Sequence, residues 1–156
     1  MTRRPMIGAV AAAALALSTT AFAQQGQLGT AQEAKAMLDK AVAAVKANKD
    51  AALMMFNNGD GGFKDRDLYP FCFNLSDGKF VAAIKRLLGT DTRDLKDPTG
   101  KVFGPELYAA AQKPEGQISE VGYMFPRPGA DQTPVPKITF VTKAGEPHFV
   151  FGVMGG

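Results

Sequence analysis

The chain has 156 residues, 18 Lys and Arg against 15 Asp and Glu, one cysteine, one histidine and no tryptophan. Without a block of like charge it lacks the basic footprint of a nucleic-acid binder. A single cysteine excludes an intramolecular disulfide, and one cysteine with one histidine excludes a zinc site of the usual kind.

Arg3 and Arg4, the apolar run from Met6 to Leu17 and the small-x-small triplet Ala21-Phe22-Ala23 predict a signal peptide over residues 1–23, cleaved after Ala23. The run is shorter than the ~20 residues that span a bilayer. Its removal leaves 133 residues, 24–156, and lowers the formal charge from +3 to +1. That is the size of one domain, expected in the periplasm or outside the cell.

Thr30-Ala-Gln-Glu33 predicts a capping box opening a helix. Ala34, Leu38, Ala41, Val45, Ala52 and Phe56 continue a helical apolar period. Asn48-Lys49-Asp50 predicts a break, with Asp50 capping the second piece, and Gly59-Asp-Gly-Gly62 a stop. Leu68–Asn74 and Lys79–Ile84 read as short apolar strands joined by the turn Leu75-Ser-Asp-Gly78. Pro70 suits an edge strand or an early strand position. Gly104-Pro105-Glu106 opens a short helix through Gln112. Strands follow over Gln117–Phe125, Lys137–Lys143 and Phe149–Met154, the last two joined by a turn over Thr142–Pro147. The order predicts an α+β fold, an antiparallel sheet of about five strands with a long N-terminal helix on one face.

Catalytic parts are few. Asn57–Gly62 lacks the closing Glu of a calcium loop, and no haem, dinucleotide or phosphate-loop motif is present. Cys72, within Tyr-Pro-Phe-Cys-Phe, reads as a buried small hydrophobe, and a Cys72–His148 pair is the one enzymatic alternative. The expectation is a non-catalytic protein with no cofactor and no metal. Alternation puts Phe71 and Phe73 on one strand face with Tyr69, Tyr123 and Phe125 on one face of a second, and Lys137 with Thr139 on one face of a third. If these faces line one hollow, its aromatic walls, ammonium and hydroxyls suit a short carboxylate.

Three stretches carry a family resemblance. They are LYPFCFNLSDGKFVAA, then LLGTDTRDLKDPTGKVFGPELYAAA, and EGQISEVGYMFPRPG with PKITFV. They resemble the single-Cache (Cache type 2) extracytoplasmic sensor domains from about residue 31 to the end of the chain. The resemblance implies a PAS-like sheet and binding of a small organic acid for sensing or signalling. It implies ligand contacts from Lys137 and Tyr123 and pocket-lining positions for Phe71 and Phe73. A homodimer through the N-terminal helix and an unidentified signalling partner are further expectations, for a domain standing alone. Two positions depart from the family pattern: Ala83-Ile84 stands where relatives carry His-Pro, and the chain ends Val153-Met-Gly-Gly156 without the family's terminal tyrosine. The alternative is a scaffold or interaction protein that uses the fold without a ligand.

Overall fold

The computed structural model describes residues 28–126 and 132–145, and the backbone of Phe149–Gly155. The predicted signal peptide, His148 and most of the turn before the last strand lie outside these residues. The elements are helices α1 (Ala31–Ala47) and α2 (Lys49–Asn58), strands β1 (Pro70–Asn74) and β2 (Phe80–Ala82), helix α3 (Gly104–Ala111), and strands β3 (Ser119–Pro126), β4 (Pro134–Ala144) and β5 (Phe149–Gly155). The chain is therefore α+β.

The capping box forms as expected. Thr30 Oγ1 accepts from the Glu33 amide, and the Glu33 carboxylate accepts from the Thr30 amide. Ala34, Leu38, Ala41 and Val45 form the buried stripe of α1, joined by Met37. Asn48, at φ −159° and ψ 101°, breaks the helix, and its Oδ1 accepts from the Ala51 amide. The cap of α2 is thus Asn48 and not Asp50, because the break falls two residues before Asp50, which already lies in the first turn of the helix. Gly59 ends α2 at φ 76°, a conformation that favours glycine.

The strands form one antiparallel sheet in the order β2-β1-β5-β4-β3. β1 is internal, and Pro70 occupies its first position. One face, with Cys72, Ala82, Phe140 and Ala144, packs on α1 and α2. The other, with Phe71, Phe73, Val121, Tyr123 and Val141, packs on α3 and its preceding loop. Burial on both faces explains why β1 reads as a continuous apolar run instead of an alternating one.

β1 and β2 shift register between Cys72 and Phe73, which pair with Ala82 and Phe80. The extra β2 residue is a bulge, so Phe80 joins the α3 face while Ala82 joins the helical face. β3 and β4 pair from Ser119↔Val141 to Pro126↔Pro134. Much of the proline-rich stretch 123–137 is therefore strand, not connecting loop.

Candidate functional site

The sheet face against α3 holds a small aromatic hollow. Phe71 and Phe80 line it from β1 and β2, Tyr69 from the residue before β1, Phe103 and Leu107 from the start of α3, and Tyr123 from β3. Ala83, Leu87, Leu95 and Phe125 close its rim. Tyr123 and Phe103 stack with centroids 3.9 Å apart and planes 9° apart, while Phe71 meets Phe80 edge-on at 5.7 Å. The free volume is about 20 Å³, space for roughly one water. A short carboxylate enters only if the rim moves.

The approach of α3 to the sheet depends on a close backbone contact. A Cβ on Gly104 would lie 2.0 Å from the Thr92 carbonyl oxygen, so only glycine lets Phe103 reach this depth. Asp97 secures the same region. Its Oδ1 accepts from the Thr99 hydroxyl and from the amides of Thr99 and Lys101, and its Oδ2 accepts from the Met124 amide of β3. Those hydrogen bonds, the Thr99 hydroxyl foremost, hold its pKa down to about 2. The Asp97–Lys101 motif thus ties the loop to the sheet and does not touch the hollow.

The polar groups expected at the site lie on β3 and β4, and of these only Tyr123 lines the hollow, Lys137 and Thr139 standing outside its lining. Register sets Tyr123 opposite Lys137 and Val121 opposite Thr139. The Tyr123 hydroxyl and Thr139 Oγ1 share a buried hydrogen bond of 2.7 Å. Burial pushes the Tyr123 phenol well above its ordinary range, opposed in part by that bond. Burial also raises Tyr69, to about 12. Both phenols stay neutral and act as hydrogen-bonding groups.

Lys137 is buried, and its ammonium meets an internal partner. Nζ donates to Asp67 Oδ2 at 2.6 Å, with the two side chains 1% and 4% exposed. Asp67 Oδ1 accepts from the Gly29 amide at 2.7 Å. Next to it, Arg66 donates to the Leu28 carbonyl and to Glu33 Oε1. Arg66 holds this position at φ 53°, unusual for a non-glycine residue. The sequence reading of Lys137 as an ammonium offered to a ligand missed this counter-ion. The signal was present, since a lysine on an apolar strand face requires an acid, and Asp65 and Asp67 immediately precede β1.

Of the other expected site residues, Phe71, Tyr123 and Phe125 line the hollow. Phe73 shares their face but packs deeper, against Phe80 and Tyr108. Thr139 reaches the hollow through Tyr123. Phe103, Leu107, Leu87 and Leu95 were not anticipated, because they come from loops and a helix start that carry no strand periodicity, and Phe80 was not because the β2 bulge turns it to this face. Cys72 is fully buried on the opposite face, and burial raises its thiol pKa.

Two open grooves adjoin the rim. One, about 230 Å³, shares Tyr69 and Ala83 with the hollow and carries Lys64, Arg66 and Lys85. The other, about 420 Å³, shares Leu87, Leu95 and Phe125 and carries Arg86 and Lys96. Segment 83–88 separates them, pinned at one end by Asn57, which accepts from the Ala83 amide and donates to the Val81 carbonyl. Among the described residues no group of three or more acids, histidines or cysteines is placed to hold a metal ion. No described helix is long and apolar enough to cross a membrane.

Comparison with known proteins places this geometry. The family model for the single Cache domain 2 matches residues 12–153. A solved periplasmic sensor domain of a chemotaxis protein is 25% identical with a TM-score of 0.56, over 79% of this chain and 87% of that one. A second structure, of a Cache chemosensory domain solved for its carboxylic acid recognition, is 22% identical, also at 0.56, over 79% and 85%. No curated protein matches the sequence.

Proposed function

The chain belongs to the single Cache domain 2 family, and we propose that it is an extracytoplasmic sensor domain that takes a short carboxylate into the aromatic hollow beside Lys137. Residues 1–23 direct export, with cleavage after Ala23, and the sheet works as a PAS-like ligand platform. Phe71, Tyr123 and Phe125 receive the carbon chain, and Lys137 with the Tyr123–Thr139 hydroxyl pair receives the acid group. The observation carrying this reading is a small aromatic hollow whose wall residue Tyr123 pairs across the strands with Lys137 and shares a buried hydrogen bond with Thr139. The carboxylic acid recognition of the second structural neighbour supports the choice of ligand class.

Ligand entry needs the rim to open, and segment 83–88 between the two grooves is the element placed to move. Electrostatics favour an anion on the outside, since Lys64, Lys85, Arg86 and Lys96 stand around the two mouths.

A thermal-shift series of formate to butyrate, run on the wild type and on Lys137→Met, tests the reading. Ligand at a hundred times its dissociation constant adds about 2.7 kcal/mol. The expected result is a chain-length optimum in the wild type and no shift in the variant. The absence of any shift across the wild-type series turns the reading to its alternative, a scaffold or interaction protein using the fold without a ligand. One observation favours that alternative: the hollow is small and Lys137 is already neutralised.

A further inference from the structure

We infer that Asp67 is a built-in competitor for Lys137, the strand partner of the hollow's Tyr123, and, through its second oxygen, the link between Lys137 and the start of α1. This rests on the carboxylate reading for its ligand and on the observed hydrogen bonds for its mechanism. Asp67 uses both oxygens on two parts of the molecule at once. Oδ2 takes the ammonium of Lys137, 70 residues away in sequence, and Oδ1 takes the amide of Gly29, 38 residues away.

Gly29 precedes the cap of α1, and the contact is close. A Cβ at Gly29 would fall 2.2 Å from Leu68 Cγ, so the chain before the helix lies directly on the residue after Asp67. Arg66 completes the clamp on the Leu28 carbonyl and on Glu33, itself half of the capping box. Residues 28–33 are thereby held by two consecutive side chains, one of which answers to Lys137.

A carboxylate arriving at Lys137 meets Asp67 as a like charge on the same cation. Two carboxylates beside one buried ammonium leave a net negative charge, which burial disfavours. The ligand therefore displaces Asp67 from Lys137, and the displacement loosens the Gly29 amide. By reciprocity, whatever holds the chain ahead of α1 in place weakens ligand binding by the same factor. Asp67 thus sets affinity and couples occupancy to the N-terminal helix. The same pairing selects against a neutral ligand, which has no means of prising the two charges apart.

The experiment combines propionate titration by calorimetry with hydrogen exchange at the Gly29 amide. In the wild type, propionate is expected to speed Gly29 exchange several-fold. In Asp67→Asn, whose amide oxygen serves only one of the two donors, propionate is expected to bind at least tenfold more tightly. In Lys137→Met without ligand, Gly29 exchange is expected to rise, because Asp67 has lost its cation. Unchanged Gly29 exchange in Lys137→Met overturns the link whatever binds. If that variant does not fold, Lys137→Gln, which removes the cation and leaves Asp67 in place, gives the same comparison. Equal propionate affinity in the wild type and Asp67→Asn overturns the competition. If no carboxylate binds either protein, the carboxylate reading fails and the competitor role with it, while faster Gly29 exchange in Lys137→Met upholds the link.

Discussion

Gly29 and Tyr123 show how much one side chain decides. At Gly29 the nearest atoms are the branched end of Leu68, so Gly29→Ala forces either Leu68 or the chain ahead of α1 to move. Overpacking of this kind costs about 1–3 kcal/mol, and the expected outcome is a lower urea midpoint at unchanged m-value. The same variant lifts Gly29 off Asp67, so its ligand affinity is expected to rise along with its loss of stability. Tyr123→Phe keeps the stack on Phe103 but leaves Thr139 Oγ1 without its partner. It is expected to cost about 1 kcal/mol and to weaken propionate more than it lowers the melting temperature. Lys137→Met strips the counter-ion from a buried carboxylate, a change worth about 3–5 kcal/mol. Thermal unfolding at neutral pH checks it.

At the scale of elements, the short segments that frame the hollow are held by few bonds. Asn57 at the end of α2 accepts from the Ala83 amide and donates to the Val81 carbonyl, standing in for a neighbouring strand beyond β2. Asn57→Ala is expected to free the segment that carries Ala83 and Leu87 and to speed ligand association, read by stopped-flow. It is also expected to cost about 1–3 kcal/mol through the unpaired backbone groups. The helices were legible in the sequence because their period and caps are local: Thr30, Glu33 and the stripe from Ala34 to Phe56 each needed only near neighbours. Within each strand the faces were legible for the same reason, since alternation groups Phe71 with Phe73, Tyr123 with Phe125, and Lys137 with Thr139, while which of them reach the hollow depends on the closed sheet. The bulge in β2 was not, because nothing local tells Phe80 and Ala82 to face opposite ways. Asp67 escaped as well: its partners, Gly29 and Lys137, are brought to it only by the closed sheet.

Over the whole molecule, depressed carboxylates shape the response to acid: Asp65 and Glu115 lie below their ordinary range, and Glu33, Asp91 and Asp97 are held at about 2. Hydrogen bonds from Arg66, foremost, and from Thr30 hold Glu33 down to about 2, as the Thr99 hydroxyl and the Met124 amide do for Asp97. Both bind protons less readily folded than unfolded, so each contributes stability that is intact above about pH 5 and is lost as pH falls toward 2. Urea midpoints measured from pH 6 to pH 2 are expected to decline, and Asp97→Asn is expected to flatten the curve below pH 4. Neither group touches the hollow, so ligand affinity is expected to hold steady from pH 8 down to about pH 6, and to fall nearer pH 5 only as the carboxylate ligand itself takes up a proton.

The strand order carries one more consequence. β5 follows the other four strands in sequence yet lies between β1 and β4, and among the described strands it alone joins the β1–β2 ribbon to the β3–β4 ribbon. Two-stranded ribbons are marginal by themselves. A chain emerging N-terminus first, from a ribosome or through an export channel, therefore has its keystone delivered last. It remains open and threadable for nearly its whole passage, then locks in one step. Chains stalled before residue 149 are expected to be cut rapidly by protease, and those released past residue 155 to resist.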